Sequence, residues 1–309
     1  MTKIAVIGAG LIGRSWSIVF ARAGFDVSLW DPAPQAVPAG LHYIAERLPE
    51  LLDAGLLPEP PAAIMRRIHP AASLSDAVAG AEYVQENGPE RVADKQALFA
   101  ELDRTAPRDT ILASSSSGIP ASAFTENLAG RARCLIAHPV NPPYLVPLVE
   151  LCPAPWTDPA VVERTRMLMS HAGQVPATVA KEVQGFALNR LQGALLAEAF
   201  RLVADGVISP ADLDATVKHG LGLRWSFMGP FETIDLNAPG GLADYCERYG
   251  PLYADLQKQM KPRKWTPKLI AELEAARREE LPRNLHAVRQ EWRDRRLMGL
   301  LAHKATQPE

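Results

Sequence analysis

The sequence has few cysteines, no excess of positive charge and no repeats, and each shortage excludes a class of protein. Its three cysteines, Cys134, Cys152 and Cys246, are scattered and lack metal-ligand spacing. That pattern argues against a disulfide framework and a metal site, and for a reducing compartment. Lysine and arginine total 33 against 35 aspartates and glutamates, a formal charge of −2. We therefore expect no metal, and neither nucleic acid nor a membrane as a partner.

Long apolar runs are also missing. The most apolar later stretch, residues 134–151, contains four prolines as well as His138, Asn141 and Glu150, whereas a transmembrane helix needs about 20 predominantly apolar residues. Residues 1–3 lead directly into a short apolar run that ends in glycines, so no secretory signal is visible. We expect a soluble, cytoplasmic protein.

The first half of the sequence alternates short β-branched runs with helical stretches. Such alternation predicts βαβ units and a doubly wound parallel sheet with helices on both faces. Six strands are predicted, at residues 4–7, 27–30, 83–85, 111–113, 134–137 and 148–151.

The chain is long enough for two domains, at about 150 residues per domain. After residue 184 the strand signals fade and helical periodicity dominates, so we expect an α/β domain over 1–184 and an all-helical domain over 185–309. Residues 41–68 are expected to form an inserted helix pair, interrupted at Pro49 and at three later prolines. Residues 261–304 carry an excess of basic residues, which form either a solvated helical surface or a rim that guides anions.

A glycine-rich motif lies between the first strand and the first helix. Gly8-Ala9-Gly10-Leu11-Ile12-Gly13 fits the pattern G-x-G-x-x-G. In this pattern Gly8 makes the tight turn, Gly10 lets a pyrophosphate approach the backbone, and Gly13 allows close packing of helix and strand. The phosphates then meet the free N–H groups at the start of the helix. The motif predicts a Rossmann-type dinucleotide-binding domain, although a lone glycine turn is the alternative.

Asp31 follows the second strand, 18 positions beyond Gly13. An acid at this place accepts hydrogen bonds from the adenosine ribose hydroxyls. It also repels the additional phosphate of NADP, and no arginine or lysine occurs at residues 32–38 to reverse this preference. The expected cofactor is therefore NAD.

A histidine and a glutamate lie on the fifth and sixth predicted strands. His138 ends one apolar strand, and Glu150 is the only acid within the next. An isolated carboxylate in such a run costs several kcal/mol unless it is paired. The turn between them would bring the two side chains together, and a histidine so paired is suited to take a proton from an alcohol. A single histidine at a strand end is otherwise often structural.

Two further polar residues are candidates for substrate binding. Ser117 belongs to a run of four serines just after a strand, at the edge of the sheet where doubly wound folds bind ligands. A helix cap or polar turn would explain most of these serines equally well. Asn189 lies near the start of an apolar helix, where its amide either caps the helix or faces a cleft.

Motifs spread over the whole chain resemble those of the 3-hydroxyacyl-CoA dehydrogenase family. In chain order they are the glycine motif, Glu86 and Glu90 followed by Lys95, Ser117, His138 in His-Pro-Val-Asn-Pro, Glu150, Asn189 in Gly-Phe-Ala-Leu-Asn-Arg-Leu, and Met-Gly-Pro-Phe-Glu at 228–232. Segments 137–144, 189–192, 220–224, 235–238 and 291–294 are similar to the branch of lambda-crystallin, which is L-gulonate 3-dehydrogenase.

The resemblance implies a role for each matching residue. His138 would be the general base and Glu150 its orienting partner, while Ser117 and Asn189 would hydrogen-bond the substrate oxygen at the reacting carbon. The implied cofactor contacts, besides the glycines and Asp31, are Leu11, Ile12, Glu90, Lys95, Ser117 and Asn141. The resemblance also implies a homodimer formed through the helical domain.

Arg224 separates the branches of the family. It lies in a largely apolar segment where acyl-CoA members usually have no arginine. A guanidinium matches a free carboxylate in bidentate geometry, whereas a thioester offers no negative charge there. Arg224 would then bind the substrate; the alternative is a structural salt bridge.

We therefore expect NAD-dependent oxidation of the 3-hydroxyl of a small free 3-hydroxy acid, of the L-gulonate 3-dehydrogenase type. The alternatives are a 3-hydroxyacyl-CoA dehydrogenase and an L-carnitine dehydrogenase, whose sequences share the Leu-Arg-Trp segment but depart from the pattern at residues 186–189. A crystallin-like structural or NAD(H)-binding protein is the non-enzymatic alternative.

Overall fold

The computed structural model describes residues 2–307, so the expected domain limits at residues 1 and 309 lie outside it. Its strands are β1 (Lys3–Ile7), β2 (Asp26–Trp30), β3 (Ile68–Pro70), β4 (Tyr83–Glu86), β5 (Ile111–Ser114), β6 (Cys134–Pro139), β7 (Leu148–Pro153) and β8 (Val175–Thr178). They form one sheet in the order β3-β2-β1-β4-β5-β6-β7-β8. β7 is antiparallel to β6, and the other neighbouring pairs are parallel.

Helices cover both faces of this sheet and, with the connecting loops, make up the rest of the described chain. They are α1 (Leu11–Arg22), α2 (Ala36–Asp53), α3 (Pro61–Met65), α4 (Leu74–Val78), α5 (Val92–Thr105), α6 (Ser122–Thr125), α7 (Pro159–His171), α8 (Leu188–Ala204), α9 (Pro210–Thr216), α10 (Gly222–Trp225), α11 (Pro230–Asp235), α12 (Gly241–Gln259), α13 (Pro267–Glu280) and α14 (His286–Lys304). Among residues 2–307 no helix combines the length and apolar character that crossing a bilayer requires.

The predicted doubly wound α/β fold with a helical C-terminal part is confirmed. The sheet begins with the strand order β3-β2-β1-β4-β5-β6. In doubly wound sheets with this order, ligands bind at the point where the strand order reverses. That reversal lies between β1 and β4, so the turns that follow these two strands share one crevice. Each face of the sheet carries its own apolar core, with Trp16 and Phe20 on one face and Phe99 and Leu112 on the other.

The inserted segment differs from its prediction. The break expected at Pro49 is wrong, because α2 continues through this residue to Asp53. A proline inside a helix removes one hydrogen bond, but α2 buries Ile44, Leu48 and Leu51 along one face, on both sides of the proline. Burial of that apolar face holds the helix together.

The chain divides into two compact units. The sheet unit comprises residues 1–190 and 289–309, and the helical unit comprises Leu191–Val288. We expected residues 289–309 in the helical domain, whereas the described part of this segment, residues 289–307, groups with the sheet unit. The reason is the apolar face of α14, where Met298 is only 3% exposed and belongs to the same core as Trp16.

Candidate active site

The glycine turn after β1 can be built only with glycines at two of its positions. Gly8 has a φ of +96°, and a Cβ there would lie 2.9 Å from the carbonyl oxygen of Asn87. A Cβ on Gly13 would lie 1.7 Å from the carbonyl oxygen of Gly8. Gly10 is different, since no atom lies within 4 Å of the place a Cβ would take. The open space beside Gly10 is where a pyrophosphate would approach the backbone.

Asp31 follows β2 and is fixed by the backbone around it. One carboxylate oxygen accepts a hydrogen bond from the N–H of Ala9, and the other accepts one from the N–H of Ala33, each at 2.8 Å. Each oxygen keeps a lone pair for a further donor. Asp31 therefore presents a rigid acceptor beside the glycine turn, as a ribose diol requires.

A cavity of about 780 Å³ opens next to Asp31. Its apolar walls come from the end of β2, the start of α2 and the segment after β3, and include Trp30, Val37, Leu41, Pro70 and Leu74. Glu101 is a second acid in the lining, but Asp31 is the one that backbone N–H groups fix. Largely apolar walls beside such a fixed acid suit an adenine ring and its ribose. The glycine turn, Asp31 and this cavity thus fit the dinucleotide expected from the sequence.

His138 and Glu150 lie directly opposite each other on the antiparallel strands β6 and β7. The imidazole Nδ1 is 2.9 Å from Oε2 of Glu150, and the two side chains are 7% and 2% exposed. The imidazole Nε2 makes no hydrogen bond with any residue from 2 to 307. The pair therefore leaves one imidazole nitrogen available to a ligand.

Glu150 is also bound by backbone donors. Its Oε1 accepts hydrogen bonds from the N–H groups of Ala187 and Leu188, both at 2.9 Å, at the start of α8. Burial opposes ionisation of this carboxyl, but the hydrogen bonds from His138, Leu188 and Ala187 outweigh it and hold the pKa of Glu150 below its usual value. Glu150 is thus a carboxylate fixed on both oxygens.

A left-handed turn aims these N–H groups at Glu150. Gly185 has a φ of +78° and Phe186 a φ of +50°, which is uncommon for a bulky residue. The Phe186 side chain is fully buried, and its ring centroid lies 5.5 Å from that of His138. Packing of this ring against the imidazole keeps the residue in its strained conformation and shields the dyad from water. Sequence reasoning missed Phe186, since nothing in its neighbours indicates a positive φ.

Ser117 and Asn189 come together although they are far apart in the chain. The Asn189 side-chain amide donates to the backbone carbonyl of Ser117 at 2.7 Å. Ser117 is exposed, and its hydroxyl makes no hydrogen bond to the described part of the chain. This arrangement fixes the asparagine amide and leaves the serine hydroxyl free for a ligand.

Glu90 organises the serine turn. Its Oε1 accepts hydrogen bonds from the Ser116 hydroxyl at 2.6 Å and from the N–H groups of Ser117 and Gly118 at 2.9 and 3.2 Å. Burial raises the pKa of this carboxyl. The Ser116 hydroxyl, the charge of Lys95 and the two N–H groups outweigh burial, so the pKa of Glu90 lies below its usual value. The glutamate therefore holds Ser117 in place as a carboxylate.

Lys95 has a different environment from the expected one. The resemblance implied a contact with the cofactor, whereas the Lys95 side chain is 2% exposed and its Nζ lies 3.0 Å from Oε2 of Glu86. The Ser114 hydroxyl donates to the same oxygen at 2.5 Å. A buried ammonium needs a carboxylate partner, and Glu86 provides it. In this arrangement Lys95 acts on the cleft through its charge.

The remaining predicted residues are more exposed. Leu11 is 53% exposed at the start of α1, and Asn141 is exposed in the turn between β6 and β7. Ile12 is partly buried. Arg224 lies on α10 in the helical unit, where it is exposed and forms no ion pair with any residue between 2 and 307. The salt bridge considered as an alternative for Arg224 is therefore not seen among these residues.

A buried polar network lies under the site, and sequence reasoning missed it. Gln85 is fully buried on β4, and its amide donates to the Ser115 hydroxyl at 2.7 Å and to the carbonyl of Ala137 at 3.2 Å. Ser115 in turn donates to the side chain of Asn87 at 2.7 Å. The network joins Ala137, the residue before His138, to Asn87, against which Gly8 packs. Gln85 beside Glu86 in a fully buried strand was the signal that could have revealed it.

Comparison with known proteins identifies the family of the chain. Residues 3–183 match the model of the 3-hydroxyacyl-CoA dehydrogenase NAD-binding domain, and residues 185–280 match that of the C-terminal domain. A lambda-crystallin homolog from Bos taurus is 44% identical, covering 99% of this chain and 97% of its own. An L-carnitine dehydrogenase from Streptomyces griseus is 40% identical, covering 81% of this chain and 74% of its own.

A solved structure is similar over its full length. It is the crystal structure of 5-formyl-3-hydroxy-2-methylpyridine 4-carboxylic acid 5-dehydrogenase, an NAD⁺-dependent dismutase. The TM-score is 0.85 at 29% sequence identity, and the match covers 100% of both chains.

Proposed function

Because the chain belongs to the 3-hydroxyacyl-CoA dehydrogenase family, whose members are NAD-dependent dehydrogenases acting on CH–OH groups, we propose that it oxidises the 3-hydroxyl of a small free 3-hydroxy acid. NAD is the cofactor. The observation that carries the proposal is the His138–Glu150 dyad, in which a fixed carboxylate binds one imidazole nitrogen and leaves the other available.

In this proposal His138 is the general base. Its Nε2 takes the proton of the substrate hydroxyl, and the positive charge that forms on the imidazole is stabilised by Glu150 at 2.9 Å. Because the N–H groups of Ala187 and Leu188 hold the other carboxylate oxygen, Glu150 keeps the imidazole in one orientation. NAD, when bound, supplies the nicotinamide ring that accepts the hydride from the same carbon.

Ser117 and Asn189 position the reacting oxygen. The Ser117 hydroxyl is free to hydrogen-bond this oxygen, and the Asn189 amide is fixed by its bond to the Ser117 carbonyl. Holding the alcohol against the base and the hydride acceptor removes the entropy cost of bringing the reactants together. The glycine turn and Asp31 would hold the cofactor, and the Asp31 carboxylate would disfavour the additional phosphate of NADP.

Arg224 supports a free acid as the substrate. Its guanidinium is exposed and has no acidic partner in the described chain, so it is available to a carboxylate, which it can bind with two hydrogen bonds. A thioester has no such charge. Two similar proteins are named for substrates with a free carboxylate, L-carnitine and a pyridine carboxylic acid.

The 3-hydroxyacyl-CoA thioester is the second candidate substrate class, because both family models are named for it. A third possibility is a structural or NAD(H)-binding role without turnover, since the relatives include lambda-crystallin. The CoA thioester dehydrogenase differs from our proposal in substrate preference. The structural or NAD(H)-binding protein differs in that it forms no NADH.

A substrate panel distinguishes these three possibilities. The protein is incubated with NAD and L-gulonate, 3-hydroxybutyrate, L-carnitine or 3-hydroxybutyryl-CoA, and NADH is followed by its absorbance. His138→Gln is the control that assigns any turnover to this site. We expect a higher kcat/KM for at least one free acid than for the thioester. A preference for the thioester would contradict the proposed substrate class, and NADH formation with none of them would contradict the enzymatic role.

We also propose that the protein forms a homodimer through its helical unit. In the described part of this unit only Thr233 and Leu269 are buried. Large apolar side chains remain open to solvent there, among them Leu191, Val207, Phe227, Phe231 and Leu236, each at least 66% exposed. Exposed apolar surface of this extent marks an interaction site.

A further inference from the structure

Arg14 has a guanidinium without an acceptor. It is the residue after Gly13, one turn of α1 beyond Gly10. Its Nε is buried and has no hydrogen-bond partner, and no ion pair of Arg14 occurs within residues 2–307. The guanidinium carbon lies 3.6 Å from the centroid of the Tyr43 ring. A guanidinium carries five N–H donors, so this side chain is a positive charge held in place without an acceptor among the described residues.

The ring of Tyr43 holds Arg14 beside the glycine turn. α2 packs directly on that turn, because a Cβ on Gly40 would lie 3.2 Å from the carbonyl oxygen of Ala9 and 3.7 Å from the Cβ of Arg14. Tyr43 is one turn further along α2, and its hydroxyl is 2.7 Å from that of Tyr144. Stacking on an anchored ring fixes a guanidinium that would otherwise move freely.

The charges around the cleft leave a role for such a cation. Asp31 and Glu90 are acidic, and the buried ammonium of Lys95 is already bound by the Glu86 carboxylate at 3.0 Å. A bound pyrophosphate adds two negative charges, whereas the start of a helix offers about half a positive charge. Arg14 supplies a full charge within one helical turn of Gly10.

We propose that Arg14 binds the pyrophosphate of NAD and is a cofactor-binding residue in addition to the glycine turn and Asp31. The proposal rests on NAD as the cofactor and not on the proposed substrate, so the two can fail independently. A substrate carboxylate is the other anion that a guanidinium would bind, and the experiment separates the two ligands.

The test compares Arg14→Met with wild type by calorimetric titration of NADH, ADP-ribose and adenosine. We expect the Kd of NADH and of ADP-ribose to rise about tenfold to a hundredfold, the usual effect of losing a charge-assisted hydrogen bond. The Kd of adenosine, which has no phosphate, should change little. Arg47→Met is the matched control, because Arg47 faces the same ring at 5.2 Å but is paired with Glu50. Its NADH affinity should match that of wild type.

Arg14→Gln and Arg14→Lys keep the test decisive if the methionine variant does not fold. The glutamine retains hydrogen-bonding groups without the charge and should lose ADP-ribose affinity, whereas the lysine should recover part of it. An unchanged Kd for ADP-ribose in a folded Arg14→Met or Arg14→Gln variant would overturn the proposal. So would a rise in the KM of the hydroxy acid alone, which would assign Arg14 to the substrate.

Discussion

At the scale of single residues, the site depends on one imidazole nitrogen that the protein leaves free. His138→Gln removes this nitrogen, and we expect turnover to fall by about 10² to 10⁴, the usual contribution of a positioned general base. NADH affinity should change little, because His138 holds no part of the glycine turn. Steady-state kinetics together with NADH titration check both expectations. Near-wild-type turnover of the variant would contradict the mechanism.

Asp31 decides between NAD and NADP. In Asp31→Ala the ribose acceptor and its negative charge are both lost, so the Kd of NAD should rise about tenfold or more and the preference over NADP should weaken. Asp31→Asn is the matched control, since it keeps an acceptor for the N–H of Ala9 or Ala33 but removes the repulsion. Kinetics with both cofactors are the measurement. A wild-type protein that uses NADP as well as NAD would show that Asp31 does not discriminate.

Arg224 decides between substrate classes. In Arg224→Met a charge-assisted contact with the substrate carboxylate is lost, and such contacts contribute about 1.5 to 3 kcal/mol. We expect kcat/KM on a 3-hydroxy acid to fall about tenfold to a few hundredfold, with a much smaller loss on the matching CoA thioester. Thermal unfolding confirms that the variant is intact. Equal losses on both substrates would remove the reason for preferring free acids.

Some residues of the site follow from the sequence and others do not. His138 and Glu150 were predictable because a short turn joins their strands, so their pairing is almost local. The contact between Asn189 and Ser117 joins residues 72 positions apart. The resemblance to a known family implied that both bind the substrate oxygen, but neither it nor their spacing predicted this hydrogen bond. The stacking of Arg14 on Tyr43 carries no motif and required the structure.

At the scale of elements, Glu150 joins β6, β7 and the start of α8. Its pKa is lowered in the folded protein, so its ionised form stabilises the fold above the unfolded value of about 4.5. This stabilisation is lost as the pH falls through the lower folded value. Glu150→Gln should therefore reduce the melting temperature most at neutral pH, with a difference from wild type that shrinks in acid. A difference independent of pH would contradict the assigned charge.

The same variant tests the role of Glu150 in catalysis. Its turnover should fall less than that of His138→Gln, because the base itself remains. Its pH–rate profile should also change, because a neutral amide replaces the carboxylate that faces the base. An unchanged profile would mean that Glu150 is structural alone.

The elements that the sequence predicted are those with a clear local pattern. All six expected strands are present, because strands that are buried on both faces of a sheet form continuous apolar runs. β3 and β8 were not predicted, because Ile68–Pro70 and Val175–Thr178 are short edge strands with mostly exposed residues and a proline each. Their pairing comes from neighbouring strands and leaves little trace in their own composition.

At the scale of the whole molecule, the exposed apolar residues of the helical unit predict a dimer. Light scattering should give twice the chain mass of 33.6 kDa. Phe231→Glu, at a residue 76% exposed, should weaken the dimer, because it introduces a charge into an apolar contact. Met167→Glu is the control, since Met167 is 57% exposed on α7 in the sheet unit. A monomeric wild type, or equal effects of both variants, would contradict an interface in the helical unit.

The position of α14 has a consequence for biosynthesis. Met298 on α14 and Trp16 on α1 belong to the same apolar core. Most of the sheet unit therefore leaves the ribosome before α14, and its core is incomplete until α14 follows. All of Leu191–Val288 is translated in between. Because domains generally begin to fold as they emerge, the nascent sheet unit exposes an apolar patch throughout that interval. Chaperone binding during translation should therefore persist until residue 298 has emerged.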